Sequence, residues 1–347
     1  MNTDTTTVTV QARKRKKGLW KRVVLIALAL VLLLIGAGFA YEAIASEAGK
    51  RDYPMPGKLV DAGGYKLHLN QQGKGSITIV LEAGSGETSL SWKDIPEQLA
   101  PYAKVVSYDR AGYAWSEKAD TERTGANIVR ELHTALHKEG LRGPYLFVGH
   151  SLGGTYSRLF AQTYRDEVAG VVLVDARPEN DEKDAAPIYA REKKFTKKPP
   201  AAELTLLKQS GVLRLFQNSL LEGLVPKEER SRFLNIVATP GYFEAAENEG
   251  KLVYTSEDAI RGQNLGNLPV RVIARGLPQD YAAFGFSKEG GEKLEEIWQN
   301  GQRNMLGISS KSKLIVAEKS GHMVMEDQPE LVTKVILDLL QDITTPR

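Results

Sequence analysis

Hydrophobic positions follow three patterns along the chain. Val23–Tyr41 (VVLIALALVLLLIGAGFAY) is apolar throughout and carries no charge. From residue 58 onward, short apolar runs alternate with longer stretches in which apolar residues recur every three or four positions. The short runs predict strands at Tyr65–Asn70, Ile77–Ala83, Val105–Asp109, Tyr145–Val148, Gly170–Asp175, Val270–Ala274 and Leu314–Ala317. The periodic stretches predict helices over 92–100, 124–139, 152–165, 291–304 and 329–342, the last opened by Pro329 and Glu330. Apolar strands separated by helices imply an α/β domain over 58–347, with a mostly parallel sheet covered on both faces. Residues 177–267 break the rhythm. They begin charged, contain Pro199-Pro200, then space Leu204, Leu207, Leu213, Leu215 and Phe216 as a helix would. A mainly helical cap insertion is expected there.

The Val23–Tyr41 run would be about 28 Å long as a helix, close to the hydrocarbon thickness of a bilayer. Arg13, Lys14, Arg15, Lys16, Lys17, Lys21 and Arg22 precede it, and Glu42 and Glu47 follow. This asymmetry predicts a single-pass anchor with residues 1–22 as a basic cytoplasmic tail, flexible over 1–16, and everything after residue 45 extracytoplasmic. Residues 46–57, with Pro54 and Pro56, read as a linker. Ala43-Ile44-Ala45 resembles a signal-peptide cleavage pattern, but the apolar run exceeds the usual signal core, which favours a retained anchor in the cell membrane.

Composition narrows the chemistry. The 347 residues include no cysteine, which excludes disulfides, thiolate metal sites and a cysteine nucleophile. The net charge of +3 divides into +6 over residues 1–22 and −3 over the rest, so the main domain offers no basic field to nucleic acid.

One stretch demands a chemical explanation. In YLFVGHSLGGTY (145–156), a buried-strand pattern runs into Gly149-His150-Ser151-Leu152-Gly153 and resumes as a helix. Gly-x-Ser-x-Gly at a strand-to-helix corner presents the serine oxygen on a tight bend, as a nucleophile requires. Such a serine needs a base, an acid to orient that base, and donors for an oxyanion. Of the five histidines, His322 in Ser320-Gly321-His322 lies past the last strand, at the sheet edge where the corner must be. His150 abuts the serine and should point away from it. His133 and His137 are four apart, but the Thr-Ala-Leu between them lacks a metalloprotease glutamate and no third ligand is evident, so that pair reads as structural.

For the acid, Asp175 ends the strand VVLVD, while Asp280 follows the next strand after a longer loop. Asp175 is preferred. Asp109 is expected to pair with Arg110 or a loop amide. The oxyanion donors are expected to be the backbone amides of Leu152, at a helix start, and Ser85, in Gly84-Ser85-Gly86. That loop lacks a P-loop lysine and a third dinucleotide-binding glycine, so neither phosphate motif applies. No metal or organic cofactor is expected.

These residues resemble the α/β-hydrolase fold family over roughly 58–345. The resemblance rests on Gly-His-Ser-Leu-Gly-Gly (149–154), Tyr-Asp-Arg-Ala-Gly-Tyr (108–113), Val-Leu-Val-Asp (172–175) and Ser-Gly-His (320–322). It implies a serine-nucleophile hydrolase, with a small-molecule ester or other acyl compound as substrate and a cap that shapes the pocket. Ser151 argues against the aspartate-nucleophile branches, the epoxide hydrolases and haloalkane dehalogenases. This chain has Ala83-Gly84 where many members have His-Gly, and Arg275-Gly276-Leu277 where many place the acid. Some relatives take the acid from the preceding strand end, in keeping with Asp175. The expected function is a membrane-anchored carboxylic ester hydrolase. An aminopeptidase or amidase on the same residues, and a non-catalytic ligand-binding homologue, are the alternatives.

Overall fold

A computed structural model describes residues 5–192 and 199–345, with side chains described from Trp20 onward. The chain divides into two compact units: Pro54–Ala202 with Val237–Arg347, and the residues up to Tyr53 with Glu203–Ile236.

The larger unit holds one eight-stranded sheet. Its strands are β1 (Lys58–Asp61), β2 (Lys66–Gln72), β3 (Thr78–Glu82), β4 (Lys104–Tyr108), β5 (Tyr145–His150), β6 (Val168–Val174), β7 (Val270–Arg275) and β8 (Ser312–Ala317). Their order is β1-β2-β4-β3-β5-β6-β7-β8. Pairings β1–β2 and β2–β4 are antiparallel, and all others are parallel. This is the α/β-hydrolase fold, as the sequence implied.

Alternation along the central strands fills two separate cores. Val80 of β3, Tyr145 and Phe147 of β5, and Val171 and Leu173 of β6 face one side. Ile79, Leu81, Leu146, Val148, Val172 and Val174 face the other. Having no polar face, these strands need helices on both sides. Helices α3 (Gly125–Lys138) and α4 (Leu152–Thr163) cover the first side with Ile128, Leu132, Leu159 and Phe160. Ile95 and Leu99 of α2 (Ile95–Leu99), with Val332, Ile336 and Leu339 of the helix Pro329–Thr344, cover the second.

Between β6 and β7 the chain is mainly helical, including α5 (Asp181–Glu192), Ala201–Gln209 and Pro240–Ile260. It is not one body, because Glu203–Ile236 belongs to the smaller unit. Residues 193–198 of this insertion lie outside the described residues.

The smaller unit is built on α1 (Thr5–Asp52), a single helix. The expected flexible tail over 1–16 is therefore helical from Thr5, and the expected linker over 46–57 is helical as far as Asp52. Neither stretch contains a proline before Pro54, and the single Gly49 is not enough to stop a helix, so the helix begun in the apolar run propagates both ways. Trp20–Asp52 is long and apolar enough to cross a membrane by length and composition.

Candidate active site

The corner after β5 is held open by absent side chains. Ser151 adopts φ 50° and ψ −121°, a backbone state that is costly for a residue with a Cβ. Its amide donates to the Val174 carbonyl (3.1 Å), and its carbonyl accepts from Gly154 (3.0 Å) and Arg177 (2.9 Å). A Cβ on Gly149 would lie 2.5 Å from both the Gly153 carbonyl oxygen and Ser157 Oγ. One on Gly153 would meet the Ala83 carbonyl oxygen at 2.6 Å. The small residues flanking Ser151 thus let α4 leave immediately after β5.

Asp175 and His322 meet at the carboxyl edge of the sheet. In β6 and β7, Val174 lies beside Ile273, so Asp175 emerges next to Ala274 and Arg275. Asp175 also has a positive φ, 38°. Its Oδ2 accepts from His322 Nδ1 (2.6 Å) and Arg275 Nη1 (2.8 Å). Its Oδ1 accepts from Trp298 Nε1 (3.0 Å) and the Arg275 amide (3.2 Å). Asp175 is fully buried, whereas the His322 side chain is 29% exposed. The acid is locked from behind, and the imidazole keeps an open side.

Burial opposes the Asp175 charge, but the His322 hydrogen bond, the His322 and Arg275 charges and the Trp298 hydrogen bond outweigh it and hold its pKa below the usual carboxylate value. Burial also lowers the His322 pKa; the bond to Asp175 opposes this, while the His150 and Arg275 charges add to it.

His150 fastens this loop to the corner. Its Nε2 donates to the His322 carbonyl (2.9 Å), and its Nδ1 donates to Glu87 (2.9 Å). With acceptors at both ring nitrogens, the surroundings favour the charged form of the ring. Burial works against that charge, but Glu87 outweighs it and raises the His150 pKa. Glu87 also accepts from the Gly84 amide (2.9 Å), tying the Gly84-Ser85-Gly86 loop to the residue beside Ser151. Sequence reading missed Glu87. Its only trace was an acid three positions after Gly84, close to a histidine that the corner buries. Ser85 sits in this loop, and Leu152 is the first residue of α4, where amides have no partner within the helix.

Arg110 supports the same loop from below. It donates to the carbonyls of Ala83 (2.6 Å) and Gly84 (2.7 Å), and to Glu82 (2.9 Å) and Glu249 (3.1 Å). All three charged side chains are at most 2% exposed. Burial pushes Glu82 up to about 7 despite the opposing charge of Arg110. Arg110→Met would leave Glu82 buried without its cation and Glu249 with only Arg123, at 4.0 Å. It is expected to destabilise the protein by about 3–5 kcal/mol, read from denaturant unfolding followed by tryptophan fluorescence.

The other candidates lie elsewhere. Asp280 accepts from the amides of Ala282 (3.1 Å) and Ala283 (3.2 Å) as a local cap. Asp109 bonds the Ser89 amide (2.7 Å) and His68 (2.7 Å) rather than Arg110, so the loop amide expected for it is there and the arginine is not. His133 and His137 do acquire a third neighbour, Glu167, at 2.9 and 2.8 Å. Glu167 precedes β6, so this cluster lies at the opposite strand ends from Ser151. Arg142 donates to His137 Nδ1 (2.9 Å), which leaves Nε2 as the protonated donor to Glu167, a closed hydrogen-bonded arrangement.

Comparison with known proteins agrees with this architecture. Over 274 residues the chain is 26% identical to the uncharacterized protein YqjL of Bacillus subtilis, covering 78% of this chain and 86% of that one. A thermophilic esterase from Thermogutta terrifontis superposes with a TM-score of 0.57 at 19% identity, over 83% of this chain and 98% of that one. The haloalkane dehalogenase DatA from Agrobacterium tumefaciens gives 0.61 at 21% identity, over 82% and 96%. At these identities the two structures establish the fold. The family model described as the alpha/beta hydrolase family matches residues 79–335, and this chain is a member of that family.

Proposed function

We propose that this member of a hydrolytic enzyme family is a membrane-anchored serine hydrolase acting on carboxylic esters, with Ser151 as nucleophile, His322 as general base and Asp175 as the orienting acid. The observation that carries the reading is the 2.6 Å bond from His322 Nδ1 to buried Asp175, in a loop fastened to the residue preceding Ser151. Because Nδ1 keeps its proton for Asp175, Nε2 is the free base.

Ser151 Oγ attacks the acyl carbon and His322 Nε2 takes its proton. The oxyanion is held by the Leu152 and Ser85 amides, the first of which has the dipole of α4 behind it. His322 then protonates the departing alkoxide, activates water, and Ser151 is released from its acyl ester. The Trp20–Asp52 segment anchors the enzyme, with the basic N-terminus cytoplasmic and the hydrolase domain outside.

Purified protein should turn over short acyl esters of p-nitrophenol far faster than aminoacyl anilides. The reverse preference would overturn the ester assignment in favour of an amidase. The acid limb of kcat/KM should have its midpoint below 6.5, since the base is needed neutral and its pKa is lowered. A midpoint above 6.5 would contradict the His322 environment described here.

A further inference from the structure

The smaller unit has an apolar surface that its own packing does not use. The face of α1 formed by Gly38, Glu42, Ser46 and Gly49 recurs at near-helical spacing and carries the contacts to 203–236. Glu42, buried, is bound by Lys208 and doubly by Arg214 at 2.8 and 2.9 Å. Lys208 also donates to Ser46 (2.9 Å), and Arg214 to Asn235 (2.8 Å). At both ends of the stripe, glycine leaves room for the segment, for its backbone at Gly38 and for a side chain at Gly49. A Cβ on Gly38 would collide with the Ser210 carbonyl, and one on Gly49 with the Asn235 side chain.

These contacts fix a depth. Gly38 and Tyr41 are the last part of the uncharged run, and a Cβ on Gly211 would lie 3.0 Å from the Gly38 carbonyl oxygen and 3.3 Å from the Tyr41 ring. The segment therefore reaches α1 at the level where the apolar run ends. Leu215 and Phe216 follow Gly211 by four and five residues, about 6–8 Å along a helical segment. These are 62% and 59% exposed, and Leu220 and Leu224 are 40% and 75% exposed. Large exposed apolar side chains that follow closely in sequence on a charged, buried tie are what an interfacial segment requires. The charges nearby are mixed (Glu222, Lys227, Glu228, Arg230), so the surface calls for apolar lipid contact rather than an anionic headgroup.

We propose that residues 203–236 form a membrane-interface foot. The foot clamps the emerging anchor through Glu42, and lays Leu215, Phe216, Leu220 and Leu224 into the bilayer's interfacial layer. The proposal rests on the reading of α1 as a retained anchor, and adds a second, non-spanning membrane contact from a segment about 170 residues later in the chain. It also explains why an acidic residue stands at the exit of an apolar span: Glu42 is a clasp for Lys208 and Arg214.

The full chain contains no cysteine, so single reporters can be placed cleanly. Full-length Val31→Cys, Phe216→Cys and Leu224→Cys proteins, each carrying an environment-sensitive fluorophore, would be reconstituted into phosphatidylcholine vesicles with or without nitroxide-labelled lipid. Emission from positions 216 and 224 should be blue-shifted, and quenched by headgroup-proximal nitroxide. Position 31 should be quenched by nitroxide deep in the acyl chains. Water-like, unquenched emission at 216 and 224 with quenching intact at 31 would overturn the foot and spare the anchor. Loss of quenching at 31 would overturn the anchor itself and the foot with it. Adding Gly38→Leu keeps the span apolar but blocks the approach of Ser210. It should abolish quenching at 216 while leaving 31 unchanged; unchanged quenching at 216 would refute the clamp.

Discussion

Asp175→Asn is expected to lower kcat by about 10⁴ with little change in fold. The physical reason is the direction of one proton. The carboxylate accepts from His322 Nδ1 at 2.6 Å, which on the proposed mechanism leaves Nε2 free to receive the Ser151 proton. An asparagine amide can turn its NH2 toward Nδ1, and the ring then carries its proton on Nε2, where a base is needed. Arg275 retains Glu295 as a partner at 2.6 Å, so the substitution does not strand that guanidinium. Asp280→Asn is the control. It keeps an oxygen for the Ala282 and Ala283 amides and should turn over ester at the parent rate. Steady-state kinetics on both variants, with circular dichroism to verify folding, decide the assignment. Full activity in Asp175→Asn would refute it.

Ser151→Ala is expected to remove more still, on the order of 10⁵–10⁶ in turnover, because no covalent acyl intermediate can form. Little stability should be lost. The Ser151 side chain makes no capping bond to α4, so truncation strands no amide. Alanine also faces the same backbone constraint at φ 50° as serine, so the corner's geometry survives. Residual ester turnover near the parent level in this variant would mean that another group performs the attack.

Much of this arrangement could be read from the residues because steric and periodic requirements leave plain marks. Strands buried on both faces must be apolar at every position, and TIVLE, YLFVGH and VAGVVLV are nearly so. The tight corner demands small residues at 149, 153 and 154, and the chain has glycine at all three. His322 and Asp175 were readable because each directly follows a strand end or its loop, and parallel strands bring those ends to one edge.

What could not be read depends on partners distant in sequence. Strand β1 buries one residue of four, Val60, so its period is too faint to see. Glu87 gains its meaning from His150, 63 positions away. Arg275, standing where an acid is often found, became intelligible only beside Asp175, to which it donates. The division of the insertion was hidden for a similar reason. Nothing local in Lys208 or Arg214 marks them as partners of Glu42, 166 and 172 positions earlier. The continuation of α1 through residues 46–52 reflects helix propagation across a polar stretch that composition alone assigns to a linker.

The central claim is that the Ser151 hydroxyl is an activated nucleophile. Its most direct test is to expose the folded, full-length protein to a fluorophosphonate and locate the adduct by peptide mass spectrometry. A single phosphonylated site at Ser151, protected by an ester substrate and lost in His322→Ala, is the predicted result. Folded protein that remains unmodified at Ser151, or carries its adduct on another residue, would contradict the account.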